Sequence, residues 1–345
     1  MHRRLTLFAI LGLAALPSGS VGAAPSSTRL IDCTCYDISR VDTTHGPRLV
    51  LGNQGYRGWN LFDVSSDRTR VLFSHLELEI ADVNGAHPRV LFSSADVYSA
   101  ALSPDGRLVA FTADTGCNLC VVPAGGGSPR DLGVGHVAGA ASWSPDSRQL
   151  VVPVRLAGSS KEVLMLVDAD GSGQRALTGP LVDLDDVGLM ARSIWSPGGD
   201  RIEYAEGTAT HRRLHVLRVS DGHDTVIAQG GAGVWSPDGR KLAFLWKGST
   251  LTVVDADGRH LHVLDPRARD GYGFGVAWSS RGRWIAYRTT DDRGENGADD
   301  LVIAHPDGTH RRQLVRGVEN EEIGPIYWSR DGQTILYTHL VQQGE

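Results

Sequence analysis

Short runs of consecutive apolar residues recur along this chain, each set behind a polar turn signal. The most regular is V-WSPDGRKLAF at 234–244. Degraded copies read VSSDRTRVLF (64–73), LSPDGRLVAF (102–111), WSPDSRQLVV (143–152), WSPGGDRIEY (195–204), WSSRGRWIAY (278–287) and WSRDGQTILY (328–337). In Ser-Pro-Asp-Gly, Pro presets φ, Asp bonds back to the backbone and Gly accepts a left-handed conformation, so the signal predicts a tight turn between antiparallel strands. The run behind it is apolar at consecutive positions. Strict alternation would mean one buried face, whereas a continuous short run means two. The Trp before the turn has the size to fill a wedge between neighbouring sheets.

A second half-motif follows most copies: LEIADVNG (78–85), CVVPAGGG (120–127), LMLVDADG (164–171), LHVLRVSDG (214–222), LTVVDADG (251–258) and LVIAHPDG (301–308). Each predicts a second hairpin, so one repeat of about 40–50 residues supplies four strands. The expected fold is all-β: a seven-bladed β-propeller of four-stranded antiparallel blades. The last copy lacks its two outer strands. Residues 30–38 and 48–51 offer the missing pair, so blade seven is expected from about 323–340 plus 29–52. That closure would leave no free sheet edge between first and last blades.

These WSPDG-R-x-LAF and VVDADG segments resemble the TolB-type, WD40-like propeller repeats over nearly all of residues 30–340. TolB carries an α/β domain before a six-bladed propeller, and this chain has no room for that domain, so the Tol–Pal role is not carried over. The propellers of prolyl oligopeptidase-like peptidases have similar repeats, but their hydrolase domain with its Gly-x-Ser-x-Gly elbow has no counterpart here. Oligogalacturonate lyases have seven related blades with metal-binding histidines in the channel, and no local motif maps those ligands onto this sequence. The resemblance also implies that the Ser-Pro-Asp-Gly and Asp-Ala-Asp-Gly turns share one rim. The loops joining second to third strands, and blade to blade, share the other.

Composition adds direction. The formal charge of −6 argues against nucleic acid as a partner, because phosphate binding needs a basic stripe. Residues 1–4 are basic, 5–16 are apolar (LTLFAILGLAAL), and Val21-Gly22-Ala23 suits a signal peptidase. Cleavage after Ala23 is expected, with 24–345 as a single domain that is periplasmic or secreted and monomeric. Twelve apolar residues are too few to span ~30 Å of hydrocarbon, so no membrane insertion is expected.

Length variation falls on the rim opposite the Ser-Pro-Asp-Gly turns, and insertions on one face of a repeat array often mark the binding face. Candidate ligand-binding residues there are Tyr56, Arg57, Trp59, His136, Asp183, Asp185, Asp186, Arg192, Arg267, Arg269, Tyr272, Arg288, Arg293 and Glu321. The acids at 183, 185, 186, 291, 292, 295, 299 and 300 have the oxygens for Ca²⁺, but no complete Ca²⁺ loop is present, and idle acidic surface is the reading adopted. No cofactor is expected. Cys117 and Cys120 are the favoured disulfide; Cys33 and Cys35 point to one side of a strand and join each other awkwardly, and bridges from them to Cys117 and Cys120 are the alternative connectivity. In an exported chain a structural bridge outranks zinc or thiol redox chemistry. The histidines around 211–223 and 260–262 are expected on exposed outer strands.

The functional expectation is a non-enzymatic, exported propeller that binds a protein, peptide or glycan on its insertion-bearing rim or in its channel. The alternative is a metal-assisted polysaccharide lyase or hydrolase-type enzyme, with His136, Arg192, Arg288 and Tyr272 converging at the channel mouth.

Overall fold

The computed structural model describes residues 34–42, 48–51, 60–74, 77–83, 86–93, 97–114, 116–181, 184, 194–208, 211–246, 250–268, 275–290, 299–317 and 323–342. Every regular element among them is a β-strand, and all pairings are antiparallel. Sheet 1 comprises Asn60–Val64, Arg70–Ser74, Leu78–Asp82 and Arg89–Phe92. Sheet 2 comprises Val97–Leu102, Leu108–Ala113, Cys117–Pro123 and Arg130–Asp131, and sheet 3 Ser142–Trp143, Gln149–Arg155, Glu162–Asp168 and Arg175–Ala176. Sheet 4 has three strands, Arg201–Glu206, Arg213–Arg218 and Asp224–Gln229. Sheet 5 comprises Gly233–Trp235, Lys241–Trp246, Thr250–Asp255 and His262–Asp265, and sheet 6 Val276–Trp278, Ile285–Thr290, Asp299–Ala304 and Arg312–Val315. Sheet 7 joins the two ends of the chain: Ile323–Trp328 and Thr334–Gln342 continue into Thr34–Asp42 and Arg48–Leu51.

The architecture is a propeller of four-stranded antiparallel blades, and it corrects the expected number. Six sheets are complete four-stranded blades, not seven. In sheet 4 the inner position supplies only a single bridge, Trp195 to Ile202, which is too short to count as a strand.

The turns explain why the motif needs Ser and Asp together. In five copies the Ser hydroxyl donates to the Asp two residues on at 2.6 Å: Ser65–Asp67, Ser103–Asp105, Ser144–Asp146, Ser236–Asp238 and Ser329–Asp331. The same oxygen accepts the N–H five residues on, at 2.9 Å, from Arg70, Leu108, Gln149, Lys241 and Thr334. In the WSPGGD copy Asp200 replaces the missing acid and takes the Ser196 hydroxyl at 2.9 Å. The Ser65 hydroxyl, followed by that of Thr69, pulls the Asp67 carboxyl down to about 2. Backbone bonds then tie the second hairpin turn onto the first: Val83 to Thr69, Ala124 to Arg107, Ala169 to Arg148, Val219 to Asp200 and Ala256 to Arg240. Both turn types therefore share one rim.

Behind the turns, Leu242, Ala243 and Phe244 are buried at three consecutive positions, the two-faced burial expected of a strand between neighbouring sheets. The five tryptophans that precede the turns are buried too, and each of these indoles reaches back one sheet. Nε1 donates from Trp143 to Ala101 O (3.1 Å), Trp195 to Ser142 O (3.1 Å), Trp235 to Ile194 O (3.0 Å), Trp278 to Val234 O (2.9 Å) and Trp328 to Ala277 O (3.0 Å). The five bonds form a girdle around the channel. Cys117 and Cys120 form the expected disulfide, with Cα atoms 5.4 Å apart. Cys33 and the side chain of Cys35 lie outside the described residues, as do residues 1–23.

Truncating Trp235 to Ala should remove ~3–5 kcal/mol of stability in urea unfolding, because it leaves a cavity between sheets and a freed carbonyl. A loss below ~1 kcal/mol would mean that the residue is not core. Thr34–Asp42 pairs with Thr334–Gln342 along its whole length, from Thr34 opposite Gln342 to Asp42 opposite Thr334. Deletion of residues 24–52 should therefore bare that strand and give an aggregated or unfolded product. A soluble, cooperatively folding monomer would sink the closure.

Candidate ligand-binding site at the channel

The residue just before each Trp position lies at the inner edge of the turn rim, and all of these but Ile194 line the channel cavity. In chain order this column reads Asp63, Ala101, Ser142, Ile194, Val234, Ala277 and Tyr327. Five are small or aliphatic. Asp63 and Tyr327 break the pattern, and they flank the junction where the last sheet meets the first. A cavity of ≈ 410 Å³ opens there, lined by Asp63, Arg68 and Tyr327 against Ala101, Ala141, Trp143, Val234, Ala277 and Pro325 among others.

Arg68 is the third departure. It stands at φ 62°, where five other copies place a positive-φ Gly: Gly106, Gly199, Gly239, Gly282 and Gly332. A non-Gly residue there carries a strain of roughly 1 kcal/mol. Its side chain compensates. Arg68 Nε donates to Trp328 O at 2.9 Å, Nη1 to Val64 O at 3.3 Å, and the guanidinium lies 5.2 Å from the Tyr327 ring centroid.

The girdle explains why polar groups gather here. Sheet 1 has Val64 and sheet 2 has Leu102 where the other sheets have Trp, so two junctions lack an indole donor. At one, Arg68 supplies the bond to sheet 7. At the other, Asp63 Oδ2 accepts the Leu102 N–H at 2.9 Å while Oδ1 accepts the Val64 N–H at 2.7 Å. Burial pushes the Asp63 carboxyl up to about 6, against the pull of those N–H groups and of Arg68. Burial, followed by the Asp63 charge, also raises the Tyr327 phenol. The result is a polar corner holding a carboxylate, a guanidinium and a phenol in an otherwise apolar mouth.

The sequence reasoning missed this trio because it read the turns as scaffold only. The signal was available in the column before the Trp and in the one copy that places Arg where Gly is usual. Of the residues expected on the opposite rim, Tyr56, Arg57, Trp59, Asp183, Asp185, Asp186, Arg192, Arg269, Tyr272, Arg293 and Glu321 lie outside the described residues. His136 is exposed and borders a hollow of ≈ 920 Å³ with Arg155, Ser159, Ser160 and Glu162. Arg155 and Glu162 are 2.9 Å apart. Arg267 is exposed, and its backbone N–H donates to Asp265 Oδ1 at 2.9 Å.

Arg288 is buried. Its Nη1 donates to Asp299 Oδ2 at 3.0 Å and to Ile323 O at 2.6 Å, so it clamps sheet 6 to sheet 7 rather than joining His136. Asp300, one of the acids considered for Ca²⁺, accepts the Gly317 N–H at 3.0 Å. Among the described residues, no three His, Cys, Asp or Glu side chains are grouped to hold a metal ion. His215, expected on an exposed strand, is instead buried, because Arg213–Arg218 is the middle strand of sheet 4. Its Nδ1 lies 2.9 Å from Asp224 Oδ2, and its ring stacks on Tyr204 with centroids 4.6 Å apart. No helix among the described residues is long and apolar enough to cross a membrane.

The fold is that of the TolB-like β-propellers. The chain assigned as TolB from Agrobacterium tumefaciens superposes over 89% of this chain and 98% of its own, with a TM-score of 0.53 at 16% identity. An oligogalacturonate lyase from Vibrio parahaemolyticus covers 90% and 98%, with a TM-score of 0.64 at 12% identity. An oligogalacturonate lyase in complex with manganese covers 90% and 97%, with a TM-score of 0.62 at 14% identity. No family model matches the sequence, and no curated protein matches it either.

The Asp63 environment has a pH consequence. Its carboxyl titrates near 6 in the fold and near ~4 in an unfolded chain. Between those values the native state keeps a proton that the unfolded state has released, so this group's contribution is most favourable below about pH 4 and weakens as pH rises to about 6. The unfolding free energy of the parent relative to Asp63→Asn should fall by about 1–2 kcal/mol between pH 4 and pH 7. A difference that stays flat, or that rises over this range, would contradict the assignment.

Proposed function

We propose that this chain is an exported propeller scaffold that binds a segment of another protein at the channel mouth on the turn rim. In this reading residues 1–23 are a signal peptide, and residues 24–345 are a monomeric domain in the periplasm or outside the cell. The observation that carries the reading is the polar corner of Asp63, Arg68 and Tyr327 in a mouth otherwise walled mainly by apolar side chains, with Ser66 and Ser142 among them. Such a mouth accepts an amphipathic chain whose apolar side chains meet the wall while one polar group meets the corner. The corner offers donors and an acceptor together, which suits a backbone amide or a side chain able to do both. The likeness to the Agrobacterium TolB chain supports a propeller without indicating a partner.

A second reading has its own observation. His136, Arg155 and Glu162 border the hollow on the opposite rim, and those residue types could serve acid–base chemistry on an anionic sugar of the kind the superposed lyases are named for.

Photo-crosslinking separates the two. Benzoylphenylalanine in place of Ser66, on the channel-mouth turn, should give one discrete protein adduct in cells, and Asp63→Asn should reduce it at least fivefold. Crosslinking from position 159 alone would move the site to the opposite rim and overturn the channel reading. Release of unsaturated uronate from oligogalacturonate by the purified chain with Mn²⁺ would replace the scaffold with a lyase.

A further inference from the structure

Sheet 6 departs from the repeat on the turn rim in a concerted way. In its first turn Arg281 stands where Asp67, Asp105, Asp146, Asp238 and Asp331 stand in other copies. In its second turn His305 stands where sheets 1, 3 and 5 have Asp82, Asp168 and Asp255. The backbone register confirms the equivalence: His305 N donates to Thr309 O as Asp82 N does to Ala86 O, Asp168 N to Ser172 O and Asp255 N to Arg259 O. In sheets 1 and 5 a His five residues on pairs with that acid, His87 with Asp82 at 2.8 Å and His260 with Asp255 at 2.6 Å. Sheet 6 keeps the His and loses the acid. His310 therefore faces an imidazole, with ring centroids 4.3 Å apart. Two carboxylates have been exchanged for a guanidinium and an imidazole on one turn rim.

The surroundings add positive charge. Trp284 lies 4.3 Å from the His305 ring, and it carries Arg312 at 5.1 Å and Arg283 at 5.8 Å from its own ring centroid. Two carboxylates are near, and both are engaged: Asp255 pairs with Lys241 and His260, and Asp307 accepts from the Thr309 N–H at 2.9 Å and from its hydroxyl at 2.7 Å. With its proton given to Asp307, the Thr309 hydroxyl can only accept, and His310 Nδ1 approaches it at 2.9 Å. His305 Nε2 is buried with no hydrogen-bond partner. Burial, followed by the charges on His310, Arg283 and Arg312, holds the His305 imidazole below its usual range. Beside it is a hollow of ≈ 400 Å³ between sheets 5 and 6, lined by Lys241, His262, Arg283, His305, Pro306 and Asp307.

We infer that this hollow binds a phosphate group carried by a small soluble molecule, with Arg283 and His305 as its recognition residues. A phosphate would pair with the exposed Arg283 guanidinium and supply acceptors in place of the lost carboxylates. The size of the hollow suits a phosphosugar. This site stands apart from the channel mouth and does not depend on it.

The test uses the full mature chain, inorganic phosphate and glucose 6-phosphate, followed by calorimetry and by the imidazole NMR signals of His305 and His310. Both phosphates should bind, with sodium chloride at matched ionic strength and acetate without effect. His305→Asp restores the pairing seen in sheets 1 and 5 and so should fold; it should weaken phosphate binding at least tenfold. Arg283→Gln should do the same with the two imidazole signals in place. Equal responses to chloride or acetate, or unchanged phosphate binding in both variants, would overturn the site. Binding to vesicles containing phosphatidic acid without binding to glucose 6-phosphate would overturn the soluble ligand.

Discussion

The indole-to-carbonyl bond between neighbouring sheets is the constraint on which the rest of this molecule depends. Packed sheets alone would fix the spacing of a ring only loosely, because apolar contact is non-directional. A buried Trp whose Nε1 must find an acceptor fixes direction as well. Here the acceptor is always the carbonyl just before the equivalent Trp of the preceding sheet, or its Leu in sheet 2. Each of sheets 3 to 7 is thereby held at one rotation and one height against the last. The bond also occupies the inner carbonyl at each of these junctions, so less backbone polarity is left for a ligand to meet.

A directional girdle makes its own gaps informative. Where Trp is missing, the freed geometry must be held by something else, and in this chain it is held by charge. Arg68 reaches the Trp328 carbonyl and Asp63 the Leu102 N–H. Buried charged groups are costly unless paired or hydrogen-bonded, and an apolar replacement of similar shape often serves stability as well or better. An apolar replacement would serve stability as well, yet a carboxylate, a guanidinium and a phenol stand together where the first sheet meets the channel cavity.

The fold was legible in the residues because its determinants are local. Ser236-Pro237-Asp238-Gly239 specifies a turn from four neighbouring side chains, and Leu242-Ala243-Phe244 declares its double burial without reference to the rest of the chain. The closure by the N-terminal strand followed from counting half-repeats. The shortened inner edge of sheet 4 did not, because the Trp195 copy keeps the motif while lacking the pairing. The candidate site was harder to see because its residues are far apart: Asp63, Arg68 and Tyr327 meet only when the ring shuts. His215 shows the same limit in a smaller way. Whether a strand is central or outer depends on pairing partners, and that placement decides whether a His is surface or core.

The same reasoning bears on where recognition belongs in a repeat protein. A turn repeated with Ser and Asp lets each copy satisfy its own polar groups, so the hydrogen bonds of the regular rim are closed within each turn while its carboxylates stay charged. Each acid is matched by a hydroxyl and by backbone N–H groups within its own turn. Changing one such acid for a base leaves the backbone turn intact, as Arg281 and His305 show, because the Gly and the inter-strand bonds still define it. The rim can therefore accept new charge at small cost to the fold, whereas the doubly buried strands behind it cannot. Binding chemistry in such a ring is free to vary at the turn positions and at the inner column, and those are the places where this chain differs from its own repeat.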